Sequence, residues 1–210
     1  MQLAKAKNAY NIFLYVDIKL DNVVIYLSQS ENDNINKEFI DAIMPYNPRK
    51  PCPTHYETKE AWDTSNKFYH YSWGTEEPTT YFIGQMVYYS VLNQYIELRM
   101  RNTTQVSSHS VHSCKSGLTT HVTCGYVRAF NGIAIDNGLF KIDLIITDMH
   151  SYHGDSGDPV YFYSENLDSV SINGILFGGI QTTNSSNDIT AILPLDIILS
   201  QVKIKPILSL

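Results

Sequence analysis

The stretch His153-Gly154-Asp155-Ser156-Gly157-Asp158-Pro159-Val160 decides how this chain is read. It sets two glycines and a proline around one serine, directly before an apolar run. A serine that attacks a carbonyl needs its hydroxyl on a tight turn, with backbone N–H groups aimed at the oxyanion that develops. Glycine lets the chain take that conformation. An ordinary surface turn draws on the same residues, because Gly, Asp, Ser and Pro are all turn formers. The two readings differ in what surrounds the turn.

On both sides the sequence alternates strand-like runs with turn residues. Phe82–Val91, Tyr95–Met100, Val122–Phe130 and Phe140–Thr147 precede the serine, and Val160–Tyr163, Ile172–Ile180 and Ile189–Ile192 follow it. Short strands at that spacing predict an all-β barrel or sandwich. After Pro194, the residues Leu195, Ile198, Leu199 and Val202 fall on one helical face and predict a short closing helix. Near the N-terminus, residues 12–27 alternate on either side of Leu20-Asp21-Asn22, which predicts a β-hairpin with Asp-Asn in its turn. Ile35, Phe39, Ile40 and Ile43 then recur at helical spacing between Asn32 and Met44, with Pro45 just past the end. Tyr46 to Pro53 holds three prolines in eight residues, so 47–53 reads as a linker. Residues 54–80 show no clear period and read as loop with one short helix, Glu57–Trp62. No internal repeat is visible.

At 210 residues the chain holds one large domain or two small ones. With 43% hydrophobic and 17% charged residues it is not the composition of a disordered chain, and 12% aromatics favour β-structure. Fifteen Lys plus Arg against twenty-one Asp plus Glu leave a net charge of −6, with no basic cluster. That argues against a nucleic-acid or anionic-membrane surface. The apolar run Ile12–Val16 after Lys5 and Lys7 is too short for a secretory core. Ile189–Leu199 is broken by Pro194 and Asp196 and falls short of the ~20 residues of a membrane helix. The expectation is a soluble chain with no visible signal peptide.

Four segments point the same way. His153–Val160 contains Gly154-Asp155-Ser156-Gly157-Asp158-Pro159, which matches Gly-Asp-Ser-Gly-Gly-Pro at five of six positions, Asp158 replacing the second glycine. Cys114-Lys115-Ser116-Gly117-Leu118-Thr119-Thr120-His121-Val122-Thr123-Cys124-Gly125 is similar to a segment in which Cys-Arg-Ser-Gly, Thr-Thr and Cys-Gly recur in that order. Gly174-Ile175-Leu176-Phe177-Gly178-Gly179 resembles a strand that lines a specificity pocket, and Pro194–Leu199 resembles a C-terminal helix entry. Taken together, residues 110 to 202 resemble the chymotrypsin-like serine proteases of bacterial type, the streptogrisin and α-lytic protease relatives.

The resemblance implies a mainly β fold of chymotrypsin-like β-barrels. The C-terminal barrel would be complete over 109–210 and the N-terminal barrel truncated over 54–108, behind a small α+β, pro-region-like unit at 1–46. It implies a monomeric, extracellular serine endopeptidase that needs no cofactor or metal and acts on polypeptides. Ser156 would be the acyl-forming nucleophile, the N–H groups of Gly154 and Ser156 the oxyanion hole, and Phe177, Gly178 and Gly179 the substrate pocket. Asp155 would be a buried carboxylate, and a buried carboxylate needs a partner. Lys115 is the candidate.

The pattern departs from the family's in two places. A serine needs a base, and the base an orienting acid. The family's Thr-Ala-Gly-His-Cys has only Pro53-Thr54-His55-Tyr56 as its nearest fragment, which makes His55 the candidate base. The stretch that resembles the surroundings of the family's catalytic Asp has no carboxylate between Tyr81 and Ile96; Asn93 or Gln94 stands near that position, and Asp63 is a distant substitute. An amide there keeps the geometry but spoils control of the histidine tautomer, a loss of about 10⁴ in kcat where that change was made in such a triad. His150 and His153 read as loop histidines at the cleft rim, because in this family the base comes from the other barrel. Two complete barrels take about 190 residues, more than the roughly 165 left after the N-terminal unit. Impaired catalysis is therefore expected, and a non-catalytic relative serving as a binding or remnant module is the second reading.

The three cysteines leave a further alternative open. Cys114 and Cys124, separated by nine intervening residues, suit one disulfide in an oxidising compartment, with Cys52 left over. The same region offers His109, His112, Cys114, His121 and Cys124 with ligand types and spacings that suit zinc, which would make a small zinc-stabilised domain.

Overall fold

The computed structural model describes residues 2–10, 12–18, 20–27, 36–46, 86–91, 94–136, 139–180 and 188–208. Six strands close on themselves: β5 (His112–Gly117), β6 (His121–Asp136), β7 (Leu139–Thr147), β8 (Pro159–Tyr163), β9 (Ser169–Ile180) and β10 (Ile189–Pro194). The ring order is β5-β6-β7-β10-β9-β8 and back to β5, every pair antiparallel. Closure leaves the ring without a free edge. In space β8 lies beside β5, giving the order β8-β5-β6-β7, which is a Greek key. Its long return connection is residues 148–158. The fold therefore delivers the glycine-serine stretch on the crossover that the topology requires.

The ring is buried on both sides along the second half of β7 and most of β9 and β10. Val127, Ile145, Val160, Leu176 and Ile192, one from each of β6 to β10, cluster with Met149 and fill the barrel. Their sequence neighbours Leu144, Ile146, Tyr161, Phe177, Ala191 and Leu193 belong to a second cluster. This outer face packs against β4 (Gln94–Thr103) through Leu98 and Met100, and against α3 (Leu195–Gln201) through Leu195 and Ile198. Each such aliphatic side chain contributes about 1.5–3 kcal/mol on burial. The result is a mainly β, closed barrel in the C-terminal part of the chain, where a complete barrel is expected.

The N-terminal unit joins the same sheet. β1 (Ile12–Asp17) and β2 (Asn22–Leu27) form the expected hairpin, and β1 also pairs with the far half of β6, Ile12 opposite Ile135 and Leu14 opposite Ile133. Alternation divides β1 between two cores. Phe13 and Tyr15 join the outer cluster of the barrel, whereas Ile12 packs with Ala4, Ala9, Phe39 and Ile135 beneath α1 (Gln2–Ala6) and α2 (Lys37–Ile43). β6 can serve both the barrel and the hairpin because its register with β7 shifts three times between Val127 and Ala134, with Asn131 at φ +54. Such bulges bend a strand without ending it.

Several elements differ from expectation. β5 is a strand that the sequence hides: His112–Gly117 has one apolar residue, yet Ser113, Cys114 and Lys115 are all buried, the polar ones satisfied inside the protein. β6 runs to Asp136 rather than Phe130, because β1 gives its outer half a partner. α1 has no counterpart among the expected elements; five residues are too few for a readable period. α2 begins at Lys37, and 28–35 lie outside the described residues, as do the linker, the Glu57–Trp62 helix and residues 82–85. Of the region expected as a partial N-terminal barrel, the described residues supply one hairpin, β3 (Met86–Val91) with β4, and β4 runs parallel to the start of β9.

Candidate functional site

Ser156 sits in the crossover between two glycines of left-handed backbone, Gly154 at φ +95 and Gly157 at φ +91. An L side chain is strained in that region, which is why glycine stands at both positions. The turn is fixed at both ends. Asp155 N–H donates to the Tyr152 carbonyl at 3.1 Å, Gly157 N–H to the Leu176 carbonyl at 2.8 Å, and Leu176 N–H returns to the Asp158 carbonyl at 2.9 Å. Thr119 braces it from the β5–β6 turn by donating its hydroxyl to the His153 carbonyl. A Cβ on Gly154 would lie 2.6 Å from that hydroxyl.

Asp155 is the hub. Its Oδ1 accepts the N–H groups of Thr119 (2.8 Å) and Thr120 (3.1 Å), and its Oδ2 accepts the Thr120 hydroxyl (2.6 Å), the Tyr152 N–H (2.9 Å) and the Lys115 ammonium (2.9 Å). Both charged side chains are fully buried. Lys115 also reaches Thr120 Oγ1 at 2.5 Å, which closes a three-membered network. Burial alone would raise the Asp155 carboxyl. The Thr120 hydroxyl, the Tyr152 N–H, Lys115 and the Thr119 N–H outweigh it and hold the group at about 2. Burial pulls the Lys115 ammonium below its ordinary value while the Asp155 carboxylate works in the opposite direction. The structure thus brings together Asp155 and Lys115, the pair named from the sequence.

Asp158 is the neighbour without such support. Its carboxylate accepts one N–H, from Leu118 at 3.0 Å. Burial pushes it up, the charge of Asp155 adds to this, and the group titrates at about 6.

Phe177 and Gly178 are buried in β9, and Gly179 is partly buried opposite Thr190 of β10. Cys114 and Cys124 face each other across β5 and β6 and form a disulfide. The ligand atoms of His112, Cys114 and Cys124 lie within 4.8 Å of one another, but the two sulfurs are bonded together, which leaves one imidazole of that trio for a metal. Among the other histidines named, His109 packs edge-on against Phe130. His55, Cys52, Asp63 and Asn93 lie outside the described residues.

Sequence reasoning missed several contributors. Thr119 and Thr120 lie in the Cys114–Gly125 segment, but nothing local says that both will serve a carboxylate 36 and 35 residues away. Gly117 admits no side chain, because a Cβ there would run into Asp155 and Lys115. His150, expected as a rim histidine, places Nδ1 2.5 Å from Oδ2 of Asp188, whose side chain is 2% exposed. No motif marks Asp188.

The described residues thus form a closed Greek-key barrel that carries a clamped Gly-Asp-Ser-Gly turn on its crossover. No protein-family model and no curated protein matches the chain. Among solved structures it is similar to Thermobifida fusca protease A, at 23% identity and a TM-score of 0.46 over 56% of this chain and 57% of that one. It is similar also to Cellulomonas bogoriensis chymotrypsin, at 23% identity and a TM-score of 0.45 over 54% of this chain and 57% of that one. A glutamic-acid-specific serine protease, described as using a histidine triad in substrate binding, matches at 20% identity and a TM-score of 0.46 over 61% of this chain and 60% of that one. The matches thus span less than two thirds of these proteases. Among the described residues no helix is long and apolar enough to cross a membrane.

Proposed function

We propose that the chain is a serine endopeptidase of the extracellular, bacterial type that cleaves polypeptides through an acyl-enzyme at Ser156. The observation that carries this reading is the Asp155 hub: five contacts converge on one buried carboxylate, and what they immobilise is the serine's own turn. A turn that only reversed the chain would not need a buried ion pair behind it. The N–H groups of Asp155, Gly157 and Asp158 are committed within the fold, whereas among the described residues those of Gly154 and Ser156 have no acceptor. These are the two donors assigned to the oxyanion, and such a donor is worth about 10²–10³ in kcat. His55 is proposed as the base. Residues 1–46 are proposed as a pro-region-like unit, supported by the way β1 adds a strand to β6.

A fluorophosphonate probe tests the reading. It should label the folded chain at Ser156, and Ser156→Ala should abolish labelling. A chain that is folded by circular dichroism yet stays unlabelled would sink the enzyme reading in favour of the binding or remnant module.

A further inference from the structure

The glycines of Phe177-Gly178-Gly179 are expected to leave room for an incoming side chain. Beside Gly179 that room is taken. A Cβ built there would lie 2.5 Å from Ser151 Oγ, 2.8 Å from the Ile189 carbonyl oxygen and 3.3 Å from Thr190 Oγ1. The hydroxyls of Ser151 and Thr190 are 2.8 Å apart. Thr190 donates its proton to the Met149 carbonyl at 2.6 Å, so between the two hydroxyls Ser151 is the donor. Thr147 ties the same strand down from the other side by donating to the Thr190 carbonyl at 3.2 Å. Ser151 is 5% exposed and Thr190 is wholly buried. Two small hydroxylated side chains, bonded to each other and to the backbone, thus plug the space that Gly179 vacates.

Resting on the acyl-transfer reading above, we infer that this protease selects a small side chain, glycine, alanine or serine, at the residue whose carbonyl Ser156 attacks. A longer side chain reaching past Gly179 meets Ser151 and Thr190 and must break their hydrogen bonds without replacing them. A site with buried polar groups rejects such a guest more strongly than a merely narrow apolar one does.

The test uses peptide p-nitroanilides that differ only in that residue: Ala, Phe, Lys or Glu. The fluorophosphonate first counts reactive Ser156. The Ala peptide should exceed each of the others in kcat/KM by roughly 10²-fold or more. Ser151→Gly, which empties part of the plug, should raise Phe relative to Ala by about 10-fold. Labelled Ser156 with Phe, Lys or Glu turned over as well as Ala overturns this inference and leaves the acyl-transfer reading standing; so does a Ser151→Gly protein with an unchanged preference. Absence of both labelling and turnover overturns the acyl-transfer reading, and this one with it.

Discussion

Lys115 Nζ lies 2.9 Å from Asp155 Oδ2, and neither side chain has any exposed surface. Lys115 stands on β5 and Asp155 on the crossover between β7 and β8, so the contact fastens the serine's turn to the strand that lies beside β8. An ion pair so deep is costly to assemble and more costly to break, because the surviving charge is left without its partner. Lys115→Met should therefore destabilise the fold by about 3–5 kcal/mol, read from urea denaturation. A loss below about 1 kcal/mol would mean that the threonine and tyrosine contacts hold Asp155 unaided.

Asp158 sets a pH dependence of the opposite kind to Asp155. Its folded value of about 6 stands above the ordinary 3.8, so between those values the folded chain binds the extra proton. Stability falls as pH rises through that window: the contribution is whole below about 4 and gone above about 6. Asp158→Asn, neutral at every pH, should match the wild type in melting temperature at pH 4 and exceed it at pH 7. Parallel curves across the window would contradict the burial assigned to this carboxyl.

The acid limb belongs to Asp155. Its folded value of about 2 lies below the ordinary 3.8, so its contribution is present above about 4 and lost as pH falls through about 2. Melting temperature should drop over that range in the wild type, and Asp155→Asn should flatten the drop. An equally steep drop in the variant would place acid lability elsewhere.

Gly154 combines φ +95 with a hydroxyl 2.6 Å from where its Cβ would stand. Gly154→Ala should strain the turn by about 1–3 kcal/mol and slow fluorophosphonate labelling of Ser156 by at least 10-fold. Labelling at the wild-type rate would show that Gly154 N–H has no part in receiving the oxyanion.

The disulfide spans ten positions between Cys114 and Cys124. For a loop that short, loop-closure entropy gives about 2.7 kcal/mol. Reduction with a phosphine should lower the urea midpoint correspondingly. An unchanged midpoint after verified reduction would make the bridge incidental to stability, and zinc taken up stoichiometrically on reduction would revive the metal-bound alternative.

How much was legible depends on whether a residue's partner lies nearby in sequence. The hairpin at 12–27 and the closing helix announce themselves by local period, and the Ser156 turn by its glycines. Asp155 and Lys115 could be paired because the resemblance makes Asp155 a buried carboxylate, which demands a counter-charge, and places a basic residue at the position of Lys115. β5 was not legible, because a strand whose buried positions include Ser113 and Lys115 reads as surface until the barrel closes over it. Nor was the His150–Asp188 contact, which joins positions 38 residues apart with no motif at either end. The filling beside Gly179 was hidden for the same reason: two glycines look like space until Ser151 and Thr190 are placed.

The strand shared by barrel and hairpin also imposes an order of events during synthesis. Ile12 can meet Ile135 only after more than 120 intervening residues have been made. At about 5–20 residues per second, the hairpin waits roughly 6–25 s on the ribosome with one edge of β1 bare. A two-stranded hairpin is marginal by itself in water. A strand translated well before its partner is thus among the last to be locked in, and what guards it during that wait governs how much chain reaches the native state.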